Sequence, residues 1–96
     1  MVPNTKCYPI NTAASATQTL PENVVQVVSV IGLAGGATSI SATTYTVVTG
    51  TPAAGQVQFT GTPQSPSNTL TFSAALAANG LLLVTAVPLG GLRPEY

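Results

Sequence analysis

The chain has 96 residues, the length of a single domain, and 45% of them are hydrophobic, which is enough to form one core. Only 4% are charged, whereas an ordinary soluble domain has about 25%. Two basic residues cannot neutralise a nucleic-acid backbone, and histidine and aspartate are both absent, so we expect no nucleic-acid partner and no enzymatic activity.

The four charged side chains stand near the two ends of the sequence. Lys6, Glu22, Arg93 and Glu95 are all of them, and residues 23–92 carry none. A surface of neutral hydroxyls and amides lacks the repulsion that keeps monomers apart. We therefore expect the chain to bind copies of itself, the alternative being an uncharged surface without a partner.

The sequence offers no pattern for a metal ion, a cofactor or a membrane. Zinc sites need clustered cysteine and histidine, and calcium sites need several carboxylates. The glycines that follow the valine-rich segment form neither GxGxxG nor GK[ST], and no apolar run is long enough to cross a bilayer. We expect no cofactor, no metal site, no catalytic residue and no membrane partner.

Residues 1–20 are predicted to form an extended N-terminal arm or connector. Two prolines and a run of small polar residues interrupt this segment, and Tyr8 and Ile10 are its sizeable apolar side chains after Val2. Cys7 is the single cysteine, so no disulfide can form within the chain. It either forms an intermolecular disulfide or remains a free thiol.

Residues 21–96 are predicted to form the folded domain. NVVQVVSVI, at 23–31, is dense in β-branched residues, and its near-continuous valines indicate a strand covered on both faces, either by the chain's own core or by another subunit. In SISATTYTVVT a bulge between Thr43 and Thr44 would turn both apolar sets inward. QVQFT and TLTFSA alternate, with Val57, Phe59, Leu70, Phe72 and Ala74 predicted inward, and LLLVTAV is the last strand.

Five or six short strands separated by glycine and proline turns indicate an all-β fold. The spacing is typical of a small β-sandwich or a jelly roll and does not separate the two. Edge strands in such folds are usually protected by charge, and no predicted strand of this domain carries one.

The arm is the natural segment to fill an open sheet edge. Tyr8, Ile10 and Thr12 alternate as the side chains of an added strand would, so we predict an assembly interface at Cys7, Tyr8, Ile10 and Thr12 that complements a neighbouring subunit. Head-to-tail addition of this kind produces an open fibre unless it closes into a ring. The alternative is an arm that folds back onto its own domain or stays disordered.

Three stretches carry a resemblance to a known family. TLPENVVQVVSVIG, YTVVTGTPAAGQVQFTG and TLTFSAALAANGLLLVTAVPLG resemble the jelly-roll, pilin-like subunits of endospore appendage fibres of Bacillus-type bacteria. The resemblance implies a homopolymer joined through residues 1–20, a role for Cys7, and an anchoring or tip protein as a further partner. The family's subunits often have several cysteines, so the single cysteine here departs from its pattern.

The expected location follows from the same resemblance. The N-terminus lacks the charged start and apolar run of a secretory signal, which fits an extracellular or spore-surface protein assembled without a signal peptide. The strand and turn pattern also looks like that of phage tail or capsid-decoration domains, which would make the chain a virion module. A glycan-binding module is a third alternative, although tryptophan is absent and the three tyrosines are widely separated.

Overall fold

The computed structural model of the chain describes residues 2–35, 40–89 and 92–93, and within these ranges every regular element is a β-strand. The all-β prediction is confirmed. The strands in chain order are β1 (Val2–Pro3), β2 (Lys6–Asn11), β3 (Thr17–Gly35), β4 (Ile40–Val48), β5 (Gln56–Gln58), β6 (Ser67–Phe72), β7 (Leu81–Pro88) and β8 (Leu92–Arg93).

The fold is organised around β3, which is 19 residues long and pairs along both of its edges. Val24 pairs with Ser67 of β6 and also with Pro88 of β7, so these two strands lie on opposite edges of β3. Val30 is paired in the same way with Tyr45 of β4 and with β7. Strands β4 and β6 therefore share one edge, along different halves of β3.

A small closed barrel forms on that edge. β4 pairs in parallel with β5, β5 pairs with β6, and β6 returns to the first half of β3. Closure removes the exposed edges of these four strands where they pair with one another. The remaining two strands of the six-stranded sheet, β7 and then β2, extend from the other edge of β3, while β1 and β8 form a separate two-stranded ribbon.

Two register shifts in the pairing of β3 with β7 explain its run of valines. The pairing with β7 skips one residue between Val24 and Gln26 and another between Val27 and Ser29. Each extra residue reverses the side-chain alternation, so Val24, Val25, Val27 and Val30 are all buried, whereas Val28 is 52% exposed. At Val28 the chain's own core therefore does not cover the second face of this strand, and cover by another subunit stays a prediction.

The other strand predictions are confirmed at four core positions and wrong at two others. Val57, Phe59, Leu70 and Phe72 are buried as predicted, but Ala74 is exposed because β6 ends before it. The predicted bulge near Thr43 is absent, since β3 and β4 keep one register from Ile40 to Tyr45.

The core lies inside the barrel and continues beneath β7 and β2. The Tyr45 and Phe72 rings meet edge to face, with centroids 4.9 Å apart. The buried residues of the core are Tyr8, Ile10, Leu20, Val24, Val27, Val30, Val57, Phe59, Leu70, Phe72, Leu82, Val84 and Ala86.

No boundary separates an arm from a domain near residue 20. Strand β3 runs through this position from Thr17, and Leu20 is 2% exposed in the shared core. In this structure of a single chain, β2 and the beginning of β3 belong to the same six-stranded sheet and core as the later strands.

Candidate assembly site

The four predicted interface residues lie on or beside β2, the strand at one end of the six-stranded order β2-β7-β3-β4-β5-β6. β2 pairs antiparallel with β7 of its own chain, from Lys6 opposite Ala86 to Asn11 opposite Leu81. Side chains alternate along it: Cys7 is exposed, whereas Tyr8 and Ile10 are buried and belong to the core. Thr12, just past the strand, is also buried. The sequence predicted that these residues pack against a neighbouring subunit. In this structure of a single chain, β2 pairs with β7 of its own chain, and Tyr8 and Ile10 belong to its own core.

The backbone of β2 presents a blunted outer edge. The N–H of Thr12 donates to the carbonyl of Gly80 at 2.9 Å, which extends the β2 to β7 register and directs the backbone groups of even-numbered residues toward β7. The odd-numbered Cys7, Pro9 and Asn11 therefore point their backbone groups outward. Because proline has no N–H, the middle of this edge lacks a donor, which disfavours simple addition of another strand there.

Thr12 fastens the end of β2 to the turn that precedes β7. Its hydroxyl donates to the Ala77 carbonyl at 2.7 Å and accepts from the Gly80 N–H at 2.8 Å, while its carbonyl accepts from the Asn79 N–H at 2.9 Å. A Cβ on Gly80 would lie 2.9 Å from the Thr12 hydroxyl, so only glycine fits this approach. Asn79, at φ 63°, takes the left-handed conformation that the turn requires.

Gln18, which was not among the predicted site residues, secures the connection between β2 and β3. Its side chain is 2% exposed, and its amide donates to the carbonyls of Ala13 and Ser15 at 2.9 and 2.8 Å. Its carbonyl oxygen accepts from the Ala13 N–H at 2.9 Å. The available signal was the period-two spacing from Leu20, which places Gln18 on the buried face of β3.

A small charged cluster ties β2 to the first half of β3, which is not its neighbour in the sheet. The Tyr8 hydroxyl donates to Glu22 at 2.9 Å, and Lys6 Nζ lies 3.6 Å from the other Glu22 oxygen and 5.2 Å from the Tyr8 ring centroid. Burial, the hydrogen bond to Glu22 and the negative charge of Glu22 together raise the pKa of Tyr8 to about 12. Because Lys6 and Glu22 are half exposed, their ion pair contributes little to stability.

An open apolar pocket of about 170 Å³ lies where β7 begins. Gly32, Tyr45, Leu76, Ala77 and Leu82 contribute to its lining, together with Thr12, and none of its lining residues is charged. A Cβ on Gly32 would stand 3.1 Å from the Tyr45 ring, so the glycine keeps the pocket wide. The pocket adjoins the turn to which β2 is fastened.

The described ranges contain no group of three or more histidine, cysteine, aspartate or glutamate side chains placed to hold a metal ion. In the same part of the chain, no helix has the length and apolar character to cross a membrane. Comparisons with protein-family models, with curated proteins and with solved structures found no match.

Proposed function

We propose that this chain is a non-enzymatic structural subunit that assembles with copies of itself into an extracellular or spore-surface fibre by exchanging its N-terminal strand. The observation that carries the proposal is the position of β2, which lies near the start of the chain and at the end of the sheet order, and yet supplies Tyr8 and Ile10 to the core. A strand with this combination can be exchanged as a unit between identical copies.

The contacts that β2 makes would be the same in a neighbour as in its own chain, because the two sheets have the same sequence. Withdrawing Tyr8 and Ile10 exposes two core side chains, each worth about 1.5 to 3 kcal/mol, so an empty groove is strongly disfavoured. The groove is therefore refilled either by its own strand or by another copy's. Protein concentration and the conformation of the connecting segment, residues 12–16, then decide between them.

The uncharged surface removes an obstacle to such exchange. Residues 23–92 contain no charged side chain, so two copies approach without the repulsion that separates ordinary domains. The blunted outer edge of β2 makes strand exchange a better route than the addition of one edge to another. When each copy donates to the next, the product is an open fibre unless the rotation between copies closes it into a ring.

One substitution tests the exchange directly. Cys7 lies opposite Thr85 in the β2 to β7 register, at a pair whose backbone groups point away from each other. Facing Cα atoms at such pairs are about 4.5 Å apart, which is within the range of a disulfide. In the variant Thr85→Cys, oxidation of a dilute monomer should lock β2 into its own sheet and prevent fibres until a reductant is added.

The same variant reports on the assembled state. If β2 is exchanged, fibres grown under reducing conditions and then oxidised should yield a ladder of covalently linked chains on non-reducing electrophoresis. The control Cys7→Ser with Thr85→Cys can give dimers at most. The absence of fibres by negative-stain electron microscopy at all concentrations, with only an intrachain disulfide, would rule out the proposal.

A further inference from the structure

The apolar pocket at the beginning of β7 is open and uncharged, and it has room for one apolar side chain. Its volume of about 170 Å³ is bounded by the Tyr45 ring and by Leu76 and Leu82, with Gly32 leaving space that a larger residue would take. Filling it with an apolar side chain would desolvate no charged group, since its lining contains none.

A matching apolar projection lies just past the other end of the same strand. Leu89 is 61% exposed, the most exposed large hydrophobic side chain among the described residues. Its backbone is held in place, because its N–H donates to the Asn23 carbonyl at 3.2 Å and it follows Pro88, the last residue of β7. Leu89 is thus an apolar side chain displayed from a fixed position.

The pocket and the projection cannot meet within one molecule. β7 is 8 residues long, and at about 3.3 Å per residue it separates them by roughly 26 Å. A projection at one end of a strand and a pocket at the other make a head-to-tail contact, which leaves a free pocket and a free Leu89 at the ends of every assembly. Such a contact propagates in the way that a fibre requires.

We propose that the Leu89 side chain of one copy inserts into the pocket between Tyr45 and Leu82 of the next copy. The inference rests on the proposed self-assembly and adds to it a second contact, independent of β2. Burying one leucine in this way strengthens association about 10-fold or more. Leu89→Asn should therefore raise the protein concentration at which fibres appear by about that factor, whereas Val28→Asn, at another exposed apolar position, should leave it unchanged.

A site-directed cross-link tests the geometry of the contact. In a Cys7→Ser background, Ala77→Cys places a thiol at the rim of the pocket and Leu89→Cys places one at the projection. Disulfides span Cα separations of at most about 6.8 Å, so these two thiols can join only between molecules. We expect oxidised fibres of this variant to give a covalent ladder. The matched variant with Ala77→Cys and Val28→Cys should not.

The outcomes separate the two proposals. If Thr85→Cys fibres give their ladder while the variant with cysteines at 77 and 89 forms fibres without one, the Leu89 contact is wrong and strand exchange stands. An unchanged fibre threshold in Leu89→Asn would also overturn the contact. If the unmodified protein stays monomeric at every concentration, self-assembly itself fails and the contact fails with it.

Discussion

Replacing Gln18 by leucine is expected to destabilise the fold, because the Gln18 side chain forms hydrogen bonds with the segment that joins β2 to β3. Leucine keeps most of the volume but removes three hydrogen bonds to Ala13 and Ser15. At about 0.5 to 1.5 kcal/mol per bond the loss would be about 1.5 to 4.5 kcal/mol. Ala13 is exposed and Ser15 is partly exposed, so hydrogen bonds to water replace some of those lost in the variant. We therefore expect the free energy of unfolding to fall by about 2 to 3 kcal/mol.

The measurement is urea denaturation followed by far-ultraviolet circular dichroism, with a thermal scan beside it. For a domain of this size a loss of 2 to 3 kcal/mol corresponds to a fall in Tm of about 10 to 20 °C. The matched control is Gln26→Leu, the same substitution at an exposed position of the same strand, which should stay within about 0.5 kcal/mol. Equal stabilities of the two variants would refute the role assigned to Gln18.

A second variant separates the hydrogen bonds from the packing. In Gln18→Glu the carboxylate would face the carbonyl oxygens of Ala13 and Ser15, which accepted from the amide. The charged form is disfavoured there, so the pKa of this carboxyl should be raised and its protonated form, which can donate, should fit better. We expect Gln18→Glu to lose less stability at acidic than at neutral pH. A pH-independent loss would contradict this reading.

Three further predictions concern the core. The pKa of Tyr8 is raised from 10.0 to about 12, so its contribution to stability should be present in full below pH 10 and lost as the pH rises toward 12. Tyr8→Phe should flatten the dependence of stability on pH in that window. An unchanged dependence would show that Tyr8 does not cause it. Leu70→Ala should cost about 2 to 5 kcal/mol in denaturant unfolding, against less than about 0.5 kcal/mol for Val28→Ala, because only Leu70 is buried. Gly61→Ala should cost about 1 to 3 kcal/mol in the same assay, since the added methyl group meets the Phe59 ring, and a neutral result would show that the ring moves aside freely.

If β2 is exchanged as we propose, the same stabilising contacts also affect assembly. Through its bonds to Ala13 and Ser15, Gln18 holds the connecting segment in the conformation that returns β2 to its own sheet. Loosening that conformation weakens the closed monomer more than an exchanged assembly in which the segment is extended. If fibres form by exchange, Gln18→Leu should therefore form them at a lower protein concentration than the unmodified protein does.

The sequence determined the class of the fold and part of the core through local rules. Dense valine and threonine with glycine and proline turns favour strands, and period-two alternation assigned Val57, Phe59, Leu70 and Phe72 to the interior. These assignments held because alternation depends only on the geometry of a single strand. The lack of charge from 23 to 92 is likewise readable without any structure.

The tertiary structure decided everything that depends on which strands meet. The bulges at Val25 and Val28 exist because β3 must serve the barrel on one edge and β7 on the other, and no local pattern records that demand. Spacing could place Gln18 on the buried face of β3, but only the fold supplies its bonds to Ala13 and Ser15. Likewise, Tyr8 meets Glu22 only because β2 and β3 both pair with β7. Pairing between distant segments depends on how the whole sheet closes. The pairing of β2 with β7 could therefore be read only from the tertiary structure.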